Sequence, residues 1–198
     1  MPRQPRGLEG PGPHHLTARG SNRMEIFRDP ADYQSFITAL AAVAAARDWT
    51  CLAYCLMPNH VHLVVGGEPA AISRGMHALL GGHAQRFNRR HERSGHLFGN
   101  RFHHVSIADD RQLHAVLRYV ALNPVRAALA PDATTWPWSS YAALARGTLH
   151  PGAIDRAALD RLIDPHFLRR MVEHADASAG DSPSPRGQSP GGGTVPGV

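Results

Sequence analysis

Two histidines, His60 and His62, stand two residues apart in the run Met57-Pro58-Asn59-His60-Val61-His62-Leu63-Val64-Val65. On an extended strand, residues i and i+2 share a face. The two imidazoles therefore project side by side, while Val61, Leu63 and Val65 point the other way. Neighbouring imidazoles are half of a metal site. Further along, Tyr119 and Asn123 are four apart, a spacing that puts both on one face of a helix. A phenol oxygen can act as a covalent nucleophile, and an amide carbonyl can ligate a hard cation. If that helix crosses the face from which the histidines project, His60, His62 and Asn123 can hold Mg2+ or Mn2+, one helical turn from Tyr119. This is equipment for phosphodiester cleavage: the cation neutralises charge developing on the phosphate and the tyrosine attacks phosphorus.

The elements that must position these groups are legible in order. His14–Arg19 reads as a short strand, followed by a basic turn to Arg23. Asp29-Pro30 opens a helix, and Tyr33, Phe36, Ile37, Leu40, Val43 and Ala44 continue an apolar stripe to about Arg47. Asp48–Leu56 alternates as a strand. Met57-Pro58-Asn59 is a turn, and His60–Val65 returns as the second arm of a hairpin. A second helix is expected over about 71–90, weakened by Gly75, Gly81 and Gly82 unless close packing requires them. The stretch 97–107 contains a fourth strand, clearest at His103–Ile107. Asp109-Asp110 caps a third helix, Arg111 to Leu122, which Asn123-Pro124-Val125 interrupts or ends. The order strand–helix–strand–strand–helix–strand predicts an α+β fold, the ferredoxin-like split βαβ sandwich. Its antiparallel sheet carries helices on one face and leaves the other free. Residues 1–13 read as a flexible lead-in and 14–145 as the main domain. A C-terminal helical extension follows at 146–174, with a helix over about 157–171, and 175–198 reads as a disordered tail. The run Trp136–Tyr141 has the composition of an aromatic clamp.

The chain has 198 residues, a formal charge of +5 and a pI near 10. All the fixed positive charge is arginine, whose planar fork suits phosphate. The same excess of arginine, with high Ala, Gly and Pro, also follows from base composition alone, so charge by itself does not decide for nucleic acid. No run approaches the roughly 18–20 apolar residues of a membrane span, no secretory signal is expected at the N-terminus, and two cysteines are too few for a disulfide framework. A cytoplasmic protein with no membrane association is expected. Cys51 and Cys55 read as buried thiols. His103 and His104, being adjacent, face opposite sides of a strand and do not make a second metal pair.

Met57-Pro58-Asn59-His60-Val61-His62-Leu63-Val64 resembles the HUH motif, two histidines flanking a bulky apolar residue, of IS200/IS605-type single-tyrosine transposases. Three further stretches resemble the branch called REP-associated tyrosine transposases: His15–Arg23, Ser94–Phe102 and Arg118–Ala127. Trp136–Tyr141 resembles the family's segment after the tyrosine helix, and His15 stands where the family often carries an aromatic. The resemblance spans about residues 11–145 in the family's order. It implies the HUH endonuclease fold, His60 and His62 as metal ligands with Asn123 in the third position, Tyr119 as nucleophile, and Mg2+ or Mn2+ as cofactor. The implied reaction is cleavage of single-stranded hairpin DNA through a 5′-phosphotyrosine, with strand transfer by the freed 3′-hydroxyl. The chain would work as a monomer or homodimer, with Tyr119 acting in cis or in trans. Arg19, Arg23, Arg86, Arg89, Arg90 and Arg101 are the DNA-contact candidates, with Arg19 and Arg101 foremost because they lie inside matched motifs. Two other readings share the architecture. One is a module that binds structured nucleic acid without cutting, for which base-stacking aromatics on the sheet would be expected. The other is an HUH nuclease of the replication-initiator or relaxase type.

Overall fold

Four strands form: β1 (Gly12–Arg19), β2 (Thr50–Met57), β3 (His60–Gly67) and β4 (His103–Ser106); β2 is buried almost throughout, and a register shift between Cys51 and Ala53 breaks the alternation expected of it. They form one sheet in the order β2-β3-β1-β4, with every neighbouring pair antiparallel. The computed structural model describes residues 12–99, 101–164 and 170. Residues 12 and 13 of the expected lead-in belong to β1. The rest of the lead-in, like the expected tail at 175–198, lies outside the described residues.

Helix α1 (Pro30–Ala46) connects β1 to β2, and α2 (Pro69–Arg90) connects β3 to β4, which completes the split βαβ topology. The start of α1 is set locally. The Asp29 carboxylate accepts from the Ala31 and Asp32 backbone N–H groups at 2.9 and 3.3 Å, and Pro30 occupies the first turn, where its missing N–H costs nothing. The two helices pack on each other. Their apolar faces (Phe36, Leu40, Ile72, Met76) and the sheet residues Leu16, Val61, Leu63 and Val65 form the main core, all fully buried. Each such side chain stabilises the fold by roughly 1.5–3 kcal/mol, and truncating Leu63 to Ala would cost about 2–5 kcal/mol. Of the glycines in α2, Gly75 alone answers to packing, because a Cβ there would overlap the Trp49 ring. Gly81 has nothing within 4 Å of its would-be Cβ.

The other face of the sheet is covered, contrary to the expectation of a free surface. Helices α3 (Asp110–Arg126), α4 (Ser140–Arg146) and α5 (Arg156–Leu162) pack there against β2, and α3 also meets β3. Asp109 caps α3 by accepting from the Gln112 N–H at 2.7 Å. Helix α3 does not stop at Asn123 but runs through Pro124 to Arg126. A proline inside a helix forfeits one backbone bond. Here it lies in the last turn, is itself buried, and follows Ala121 and Leu122, which pack with Tyr141 and Ala133 in a second apolar cluster. That tertiary burial holds the turn helical, so Tyr119 and Asn123 stay in register on one face. Helix α5 is shorter than the expected 157–171; residues 165–169 and 171 lie outside the described set.

As the outer strand, β2 would expose a row of unpaired backbone groups, a pairing hazard. The expected aromatic clamp covers it. Trp136 Nε1 donates to the Leu56 carbonyl at 3.0 Å, the Leu56 N–H donates to the Trp138 carbonyl at 2.9 Å, and Ser140 Oγ bonds both the N–H and the carbonyl of Tyr54. The Trp138 ring lies flat on Tyr33, centroids 4.5 Å apart and planes 8° apart.

Candidate active site

Register places the first half of the site. Across the β1–β3 ladder, His60 is opposite Arg19, His62 opposite Thr17, and Val64 opposite His15. Opposed residues share a face, so His15, Thr17, Arg19, His60 and His62 project together. Helix α3 lies over this face, and the Tyr119 ring meets His62 edge-on with centroids 5.5 Å apart and His15 at 5.9 Å. The phenol is 39% exposed, so it can reach a substrate from solvent. One turn on, Asn123 is buried and stands close enough to both histidines to favour their charged forms. The four groups expected to act together do converge, within a single chain.

The electrostatics favour neutral imidazoles despite Asn123. Burial is the main cause, and the Arg19 guanidinium adds to it, lowering His60 from 6.5 to about 4. His62 is lowered well below 6.5 by burial first, then by His15, His60 and Arg19. Lone pairs on both rings are thus available at neutral pH. His60 Nδ1 is 2.6 Å from Asn59 Oδ1. His62 Nδ1 is 2.9 Å from His15 Nε2 and 3.3 Å from Thr17 Oγ1. By contrast, His62 Nε2 and Asn123 Nδ2 are buried without a well-formed hydrogen bond to the protein. Buried polar atoms rarely go unpaired. Two imidazoles and an amide on the same face, with the lone pair of His62 Nε2 free of a well-formed hydrogen bond, fit a divalent cation such as Mn2+.

The family model for IS200-like transposases matches residues 13–123, more than half of the 198 residues. The chain belongs to the IS200-like transposase family. Within the solved structures, its fold resembles a REP-associated tyrosine transposase bound to a REP hairpin, with a TM-score of 0.53 at 19% identity over 71% of this chain and 84% of that one. A putative transposase from Deinococcus radiodurans R1 aligns with a TM-score of 0.42 at 20% identity, over 58% of this chain and 92% of that one. None of the curated proteins matches the chain. As an IS200-like transposase it is a DNA-processing enzyme, and none of its described helices is long and apolar enough to cross a membrane.

The six arginines expected to contact DNA fall into three groups in this transposase. Arg19, Arg23 and Arg101 are exposed, and the first two belong to a frame at the end of the sheet beside His60. There Gly20 N–H donates to the Asn59 carbonyl, Ser21 N–H to Leu97 and Gly99 N–H to Arg19, at 2.9, 2.9 and 3.1 Å, stitching three of the sequence motifs together. Arg86 and Arg89 are exposed on α2, Arg86 over the groove between α1 and α2, away from Tyr119. Arg90 is bonded at 2.7 Å to both Asp29 and Asp32, which ties the end of α2 to the start of α1. Sequence reasoning did not find His15, Thr17 or Asn59 as partners of the histidines, nor Arg126, whose guanidinium lies 5.3 Å over the Tyr119 ring. The parity of β1 puts His15 and Thr17 on one face, but which strand they oppose is not written locally. Arg126, seven residues after Tyr119, was within reach of helical spacing once α3 was known to continue.

Proposed function

We propose that the protein is a metal-dependent, single-tyrosine nuclease and strand transferase of the REP-associated branch, acting in the cytoplasm on single-stranded DNA that carries a hairpin. The observation that carries this reading is Tyr119 standing against His62 while Asn123, one turn away, faces both histidines. The three sequence stretches that resemble that branch and the likeness of fold to a transposase bound to a REP hairpin support it.

In this reading His60, His62 and Asn123 hold Mg2+ or Mn2+, which supplies Lewis-acid polarisation of the scissile phosphate. Tyr119 Oη attacks phosphorus in line. The Oη–P bond forms, the P–O3′ bond breaks, the phenolic proton goes to water, and the leaving 3′ oxygen takes up a proton. The chain keeps a 5′-phosphotyrosine, so the energy of the phosphodiester is conserved. A 3′-hydroxyl then attacks the same phosphorus, releasing Tyr119 and resealing or transferring the strand without ATP. Arg126 holds the ring of the nucleophile by a cation–π contact, and Arg19, Arg23 and Arg101 bind the sugar–phosphate backbone. Tyr119 acts in cis.

The test is a hairpin oligonucleotide, labelled at one end or the other, incubated with the protein and Mn2+. The expected outcome is a covalent adduct on the fragment downstream of the cut, absent with Tyr119→Phe. Retained hairpin binding with no adduct under any divalent metal would replace this reading with a binding module.

A further inference from the structure

The two histidines differ in what holds their second nitrogen, and the difference lies outside every motif role assigned so far. For His60 the partner is Asn59 Oδ1 at 2.6 Å. The orientation of that amide is set from its other end, since Asn59 Nδ2 donates to the Arg23 carbonyl at 3.2 Å. Rotating the amide would set its nitrogen against His60 and its oxygen against a carbonyl, which cannot donate. Oδ1 therefore accepts, the His60 proton sits on Nδ1, and Nε2 keeps its lone pair.

For His62, Nδ1 meets His15 Nε2 at 2.9 Å, and the two ring planes are inclined by only 21°. That inclination lets the lone pair of one nitrogen point in-plane at the hydrogen of the other. Thr17 Oγ1 lies 3.3 Å from the same Nδ1. His62 Nε2 is buried without a well-formed hydrogen bond, with Asn123 standing beside it. A proton on Nε2 would be buried without a well-formed hydrogen bond, whereas a proton on Nδ1 has two acceptors in bonding geometry.

We propose that Asn59 and His15 are positioning residues that accept the Nδ1 protons of His60 and His62, fixing the tautomer in which both Nε2 atoms face outward beside Asn123 as the metal-binding donors. Outer partners of this kind fix the tautomer and rotation of ligating histidines. The proposal rests on the metal reading above for its purpose, but not for its geometry. It also links the site to the basic turn. Arg23 has a left-handed backbone, φ 60°, after Asn22 at φ 50°, and its carbonyl is held by the same Asn59 that orients His60. His15 plays the equivalent part where an aromatic would supply only a surface. Thr17 gives His62 a reserve acceptor that His60 lacks, so the loss of Asn59 is the more damaging of the two.

The experiment reads tautomers first and metal second. Long-range 15N–1H imidazole correlations on the metal-free full chain should show Nδ1–H for both His60 and His62. In Asn59→Ala the His60 pattern should collapse to a mixture, while Asn59→Asp, which keeps the acceptor and loses the donor, should restore it. His15→Phe should disturb His62, and His15→Gln should restore it. Mn2+ titrations followed by electron paramagnetic resonance should show affinity falling by roughly 10–100-fold in Asn59→Ala. The fall should be smaller in His15→Phe, with affinity recovered in the Asp and Gln variants. An Nε2–H tautomer at either histidine in the wild type, or tautomers and Mn2+ affinity unchanged in Asn59→Ala and His15→Phe, would overturn the proposal. Wild type with the expected tautomers but no Mn2+ affinity would overturn the metal reading and leave the positioning roles standing.

Discussion

Among the described residues, two clusters offer metal-ligand chemistry, and they differ in how their donor atoms are already engaged. Asp29, Asp32 and His91 present donor atoms within 4.8 Å of one another, a denser collection of charge than the pair His60 and His62 with Asn123. Yet each of the three residues in the acidic cluster is already engaged in a bond within the protein. Asp29 caps α1 and binds Arg90. Asp32 accepts from Arg90 at 2.7 Å, from His91 at 2.9 Å and from the Arg28 N–H at 2.9 Å. A cation there would have to displace an arginine. Across the sheet, His62 Nε2 is buried without a well-formed hydrogen bond, and Asn123 stands beside it. Proximity of ligand types identifies a cluster; unpartnered donors distinguish a site from a structural clasp.

The largest expected effect separates the proposed nucleophile from everything else. Tyr119→Phe removes the phenol oxygen and nothing that packs, so denaturing gels should show complete loss of covalent adduct while hairpin binding persists in a mobility-shift assay. A remaining adduct would move the nucleophile elsewhere.

The next pair tests the comparison directly. His62→Ala should lower Mn2+ affinity by more than the roughly 100-fold that an outer-shell change can cause. Asp32→Ala should do the reverse. It should cost roughly 1–3 kcal/mol in urea unfolding, since it leaves the Arg28 N–H, His91 and Arg90 short of a partner, with Mn2+ affinity untouched. If Asp32→Ala weakened Mn2+ binding and His62→Ala did not, the two clusters would exchange roles.

A smaller effect should divide the clusters by pH. His60 and His15 are lowered from 6.5 to about 4, each chiefly by burial, with Arg19 next for the first and His103 for the second. An unfolded imidazole takes its proton near 6.5. Between 6.5 and about 4 the unfolded chain therefore binds more protons, and stability rises with pH. The contribution of these neutral histidines is present above 6.5 and is lost as pH falls toward 4. Asp29 is lowered below 3.8 chiefly by its bond to Arg90. For Asp32, burial alone would raise it, but the Arg28 N–H, His91 and Arg90 outweigh that and lower it. The acidic cluster therefore keeps its contribution until pH drops below the unfolded value of 3.8. Urea midpoints from pH 7.5 to 3 should show two separate declines, the upper one flattened in a His15→Phe/His60→Ala variant; an unchanged upper decline would count against the assignment.

The smallest effect concerns the arginines. Arg101→Ala should weaken hairpin binding similarly for all sequences and reduce the slope of log affinity against log salt by about 1. Arg90→Ala should leave that slope alone and lower stability, because its guanidinium clasps α1 to α2.

Much of this was readable from local pattern. Asp29-Pro30 and Asp109 mark helix starts because a cap is a bond between residues two or three apart. Alternation in 48–56 and 60–65 marks strands, and i,i+2 and i,i+4 spacing marks which side chains share a face, so His60 with His62 and Tyr119 with Asn123 were paired from spacing alone. These inferences need only the period of each element. Pro124 misled, because a breaker acts locally but was overruled by the burial of Ala121 and Leu122 against Tyr141. The free sheet face was misjudged for the same reason: covering a face depends on contacts between elements far apart in the chain. Which of Arg86, Arg89, Arg90 and Arg101 is available to a phosphate depended on Asp29 and Asp32, some sixty residues from Arg90.

The sequence by itself determined the elements, their order and which side chains are candidates for the chemistry, since those follow from short-range periodicity and side-chain type. The tertiary structure alone decided that α3 crosses the histidine face, that β1 brings His15 and Thr17 beside His62, and that Asn59 reaches from His60 to Arg23. Those facts depend on strand register and long-range packing, where the energy lies in contacts that no local window contains.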